Sequence, residues 1–66
     1  MIEREEKIVI DEAGNTIPIK ISREGEERII TIDGVEWVRT NNITHAAVLF
    51  NMMREHITEY MTYKKM

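Results

Sequence analysis

Alternation of apolar and polar residues dominates the first forty positions, and a three-to-four-residue period replaces it from Ile43 onward. A period of two marks strands and a period near 3.6 marks a helix, so the chain reads as a run of strands followed by one helix. The β-branched segments at 7–11, 16–22, 28–33 and 35–40 are the expected strands. Between them, Asp11-Glu12-Ala13-Gly14-Asn15 and Ser22-Arg23-Glu24-Gly25-Glu26 begin with a turn-starting Asp or Ser and carry a glycine near the end. Asp33-Gly34 is the sharper signal, because both residues tolerate the left-handed conformations of a two-residue type I′ turn.

That turn pairs Ile32 with Val35 and Ile30 with Trp37 on one face, and Ile29 with Val38 on the other. Four-residue loops at the first two turns place Ile8, Ile10, Ile17, Ile19 and Ile21 on the face of Ile30 and Ile32, which is the expected core. Lys7, Lys20, Thr31 and Glu36 then point away from it, with Val9, Pro18, Ile29 and Val38 interleaved among them. Pro18 lacks an amide donor and is expected at an edge or a bulge.

In the second part, Ile43, Ala46, Ala47, Phe50, Met53, Ile57, Tyr60 and Met61 recur at helical spacing, and Asn41 or Asn42 suits the N-cap. The pattern predicts one long helix over 43–64. Such a helix is ~33 Å long, whereas strands of about six residues span ~20 Å. Its last turns should therefore overhang the sheet, and Leu49, Val48, Met52 and Tyr63 widen its apolar surface. The fold expected is α+β: a four-stranded antiparallel meander (1–40) and a long C-terminal helix (41–66) on one sheet face, in a single domain spanning 1–66.

A chain of 66 residues has a core that is marginal alone, and with no cysteine and two distant histidines it has neither disulfides nor a zinc knuckle to supplement it. Oligomerisation is the remaining supplement, so a homodimer is expected, with Met52, Tyr60, Met61 and Tyr63 at the partner or dimer interface. The helical stretch is interrupted by Asn51, Arg54, Glu55 and His56, and no basic-then-apolar leader opens the chain; a cytoplasmic protein without a membrane span is expected.

The net charge of −3 is unevenly divided. Residues 1–38 hold ten acids against five bases, and residues 39–66 hold two acids against four bases. Donors concentrate at the helix start, where Arg39, Thr40, Asn41, Asn42, Thr44 and His45 make a candidate anion site, with capping by Asn41 or Asn42 as the structural use of the same residues. His45 and His56 are about 16 Å apart along a helix, and the spacing matches no metal motif, so no metal or cofactor is expected. No nucleophile with a base and no phosphate loop is visible, and no catalytic residue is assigned.

Three functional classes remain. The expectation is a small non-enzymatic protein-binding module, regulatory or inhibitory, of bacterial or phage type and acting as a homodimer. A single-stranded nucleic-acid binder would instead use Trp37, Tyr60 and Tyr63 to stack on bases and Arg39, Arg54, Lys64 and Lys65 to meet phosphates. An acidic DNA mimic would use the sheet to occupy a basic cleft. The acidic sheet weighs against nucleic acid as a partner.

Overall fold

The computed structural model describes residues 1–60. It is an α+β fold in which β1 (Ile2–Val9), β2 (Thr16–Glu24), β3 (Glu27–Ile32) and β4 (Val35–Thr40) form one antiparallel sheet in sequential order. A single helix, α1 (Ile43–Glu55), packs on one sheet face.

The three turns follow from their residues. At Asp33-Gly34 both φ angles are positive, 52° and 81°, and Ile32 pairs with Val35, as a type I′ hairpin requires. The second turn differs from the four-residue loop expected: it is Gly25-Glu26 alone, with Glu24 opposite Glu27 and a positive φ only at Gly25. A glycine in the first of two central positions is the signature of a type II′ turn. In the first turn Asp11 holds the backbone amide of Asn15 at 3.1 Å and its side-chain amide at 2.7 Å. The first turn keeps four residues between Ile10 and Asn15, whereas the shortened second loop shifts the pairing by two residues. Because side chains alternate with a period of two, such a shift leaves every residue on its original face.

Ile17, Ile19, Ile30 and Ile32 thus form the buried face, and Phe50, Met53 and Ile57 cover it. Ile8, Ile10, Ile21, Trp37, Val38, Leu49 and Tyr60 pack around this cluster. The expected pairing of Ile30 with Trp37 is corrected by a bulge in β4: Thr31 faces Glu36 while Ile30 faces Val38. The extra residue is Trp37, and the bulge turns both Trp37 and Val38 toward the helix side. Val38 therefore leaves the outer face to which simple alternation assigned it. Pro18 lies in β2, an interior strand, and not at an edge. Its carbonyl accepts from Asp33 at 2.9 Å, so the missing donor falls where β3 has already entered its turn.

β1 begins five residues earlier than expected, taking in Glu3, Arg4, Glu5 and Glu6, which have poor strand propensity. Charge pairing across the sheet compensates: Lys20 meets Glu5 at 3.2 Å, Arg28 reaches past β2 to Glu3 at 2.6 Å, and Arg4 and Arg54 meet Glu6 at 2.9 and 3.4 Å. Arg4 also lies over the Phe50 ring, 4.8 Å from its centroid.

The helix is the main correction. It has 13 residues and does not run as one long element, because the ladder breaks at His56 (φ −118°, ψ 32°). A further helical turn follows, with the amides of Glu59 and Tyr60 donating to the His56 carbonyl. Past the break Ile57 is buried and Tyr60 meets Trp37 edge to face, centroids 5.4 Å apart. The overhang on which the dimer was expected to rest is therefore absent through Tyr60, and Met61, Tyr63, Lys64 and Lys65 lie outside the described residues.

Phe50 is fully buried at the centre of the only described layer interface. Phe50→Ala should cost about 3–5 kcal/mol, comparable to the whole contribution expected of a core this small. Circular dichroism with urea titration should find the variant largely unfolded at 25 °C; a midpoint close to that of the parent would show that the helix does not hold the sheet. Replacing Asp33-Gly34 by Ala-Ala should cost about 1–3 kcal/mol through left-handed strain at both positions, read as a lower urea midpoint with unchanged slope.

Candidate functional site

The side chains singled out from the sequence fall on the start and the outward face of α1 and on the outer sheet face, and the structure adds the edge of β1. The first surface is the start of α1. Asn42 caps it, its side-chain oxygen accepting from His45 N–H at 2.9 Å while its carbonyl accepts the first helical bond from Ala46. Asn42 N–H donates to Thr40 Oγ1 at 3.1 Å, so Thr40 and Asn42 are committed to the cap itself. Asn41, Thr44 and His45 are exposed nearby.

Arg39 does not join them. It lies on the outer sheet face, where its guanidinium grips Glu36 through two nitrogens (2.8 and 3.4 Å) and reaches Glu24 and Glu27 at 3.3 and 3.4 Å. This cluster joins β2, β3 and β4 across the face that the helix leaves uncovered. Ile29 sits opposite Arg39 and Ser22 in register and is only 5% exposed, although its side chain points away from the core. The arginine stem and its carboxylate partners act as its cover. The Glu36 carboxyl is held below its usual value by hydrogen bonds from Arg39, and the same bonds raise the Arg39 value further.

The second surface is the outward face of α1. Ile43, Val48 and Met52 are 61%, 51% and 48% exposed, and Val48 and Met52 are one turn apart. Tyr60 is half-buried against Trp37 and belongs to the core rim, so of the expected interface residues Met52 alone is exposed among those described. His45 and His56 are exposed, with His56 Nδ1 3.5 Å from Glu59. Among the described residues no three His, Cys, Asp or Glu side chains gather as a metal site, and no helix is long and apolar enough to cross a membrane.

The third surface is the edge of β1, unpaired on its outer side among the described residues. Nothing in the sequence marks it, because Ile2 to Glu6 contain too few β-formers to indicate a strand. The signal that was present is electrostatic: Glu5 and Lys20 fall directly opposite once the strand is extended.

Comparison with family models, curated proteins and solved structures found no match to this chain.

Asp11 is held below its ordinary value chiefly by the Asn15 side-chain hydrogen bond and then by the Asn15 amide. Asp11 and Glu36 therefore bind fewer protons in the folded chain than in the unfolded one. Their contribution is fully present above the unfolded carboxylate values, near pH 4, and is lost as pH falls through the lower folded values. The urea midpoint should decline in that acid window, and Glu36→Gln should flatten part of the decline. An acid profile identical in parent and variant would contradict the assignment.

Proposed function

We propose that the protein is a small non-enzymatic protein-binding module, regulatory or inhibitory, that acts as a homodimer and offers the outward face of α1 to a second protein. The observation that carries this reading is a contrast between surfaces. Val48 and Met52 project from the helix with no covering layer among the described residues, whereas Trp37, Tyr60, Arg39 and Arg54 are engaged within the chain. An exposed apolar stripe on a rigid helix fits capture by a protein groove.

The described side chains that the alternatives need are held within the fold. Trp37 and Tyr60 face each other in the core rim and do not present a stacking platform. Arg39 and Arg54, two of the four bases of the helical half, bind glutamates. For a DNA mimic the sheet would need a continuous acidic field, yet Glu3, Glu5, Glu6, Glu24, Glu27 and Glu36 all pair with bases. Action in the cytoplasm of a bacterial or phage-infected cell belongs to the same proposal.

Sedimentation at ~100 µM, a concentration that reveals even weak association, should give twice the chain mass. Unrelated duplex and single-stranded oligonucleotides should not bind at physiological salt, since phosphate neutralisation supplies most non-specific affinity. A photoreactive side chain at position 52, introduced in the native host, should cross-link to a protein other than a second copy. Salt-sensitive micromolar binding to a single strand, with no protein cross-link, would overturn the proposal.

A further inference from the structure

The homodimer, taken from the reading above, now needs an interface other than an overhanging helix, and the sheet has two edges to supply one. The β4 edge is six residues long and bulged at Trp37, a feature that twists an edge away from pairing. The β1 edge is longer, at eight residues, and its irregularity is confined to the beginning, between Ile2 and Arg4. From Arg4 to Val9 it runs in regular register with β2 and contains no proline. Among the described residues α1 packs most against β3 and β4 and meets β1 at Arg4 and Glu6.

The hydrogen-bond phase shows which groups are available there. Ile10 N–H donates to the Asn15 carbonyl at 2.9 Å, so the even-numbered residues Ile8, Glu6 and Arg4 are the ones bonded to β2. The N–H and C=O groups of Glu5, Lys7 and Val9 point out of the sheet. Charged side chains normally guard such an edge, and a run of one sign does so because it repels its own copy. Here the signs alternate. Glu5 and Lys7 share the outer face, and in an antiparallel pair of identical strands centred on Glu6 each Glu5 stands opposite the partner strand's Lys7, twice by symmetry. Glu5, Lys7 and Val9 have the outward phase this register needs. Lys7 has no carboxylate partner within the described chain. Glu6, on the symmetry axis, arrives with its charge already met by Arg4 and Arg54.

We propose that two copies of the chain join antiparallel through β1, with Lys7 of each strand against Glu5 of the other, to make one continuous eight-stranded sheet that leaves both α1 faces free for other partners. The eight strands are the four of each copy. Main-chain bonds at the Glu5 and Lys7 pairs supply the attachment, and the alternating charges fix direction and register.

Two sets of variants test this in solution. Lys7→Pro removes an amide that points out of the sheet, so sedimentation should show the mass falling from dimer to monomer while circular dichroism keeps the folded spectrum and the urea midpoint loses the parent's dependence on protein concentration. Lys7→Glu makes positions 5 and 7 both acidic, and Glu5→Lys makes both basic; each alone should be monomeric, and an equimolar mixture should form a heterodimer that dissociates with salt. Recovery in the mixture keeps the test independent of any folding defect in one variant. If the parent is dimeric and the variants remain so, or the mixture stays monomeric, the β1 edge is overturned while self-association stands. A parent that is monomeric at ~100 µM overturns both.

Discussion

Four isoleucines on one side of the sheet, Ile17, Ile19, Ile30 and Ile32, leave water only because Phe50, Met53 and Ile57 lie over them. Every other arrangement in the molecule accommodates that single layer of burial. Among the described residues there is no second layer to draw on, so each element adds to this one: the β4 bulge turns Trp37 and Val38 into it, and past His56 the chain still contributes Ile57 and Tyr60. In a small domain the apolar area is short relative to the entropy of ordering the chain. Irregularities that recover a side chain for the core are therefore worth their local cost in backbone bonds.

Charge does the remaining work on the two surfaces the core cannot reach. Along β1, pairs to Lys20, Arg28 and Arg54 tie a poor strand former to β2, β3 and the helix. On the outer sheet face the Arg39 cluster joins three strands and covers Ile29. Individually, exposed ion pairs contribute little, but here their geometry decides which surface remains open. Among the described residues they engage Arg39 and Arg54, and they leave an apolar helix stripe and an alternating-sign strand edge.

What could be read from the sequence was whatever depended on parity and on local turn chemistry. The Asp33-Gly34 turn was legible because its two residues demand one geometry, and the isoleucine face was legible because loop errors of two residues do not change a face. Three features were not. The start of β1 is stabilised by partners distant in sequence, and its own residues argue against a strand. Trp37 is an extra residue in a strand whose period looks unbroken. At His56 the apolar period continues through Ile57 and Tyr60 without glycine or proline, so no local stop signal marks the break. Of the site residues, the Asn42 cap was accessible to local reasoning, whereas the removal of Arg39 to the opposite face follows from the extra residue at Trp37, and Glu24 and Glu27 of other strands join Glu36 of its own in holding it there.

The central claim is that sheet and helix form one cooperative unit through the Phe50 layer. Native-state amide hydrogen exchange with increasing denaturant tests it most directly, because it resolves whether segments open together or separately. The account predicts that the amides of Ile19 and Ile30 in the sheet and of Phe50 and Met53 in the helix converge on a single opening free energy, equal to that of global unfolding. Helix amides that exchange freely while those of the sheet stay protected would contradict it.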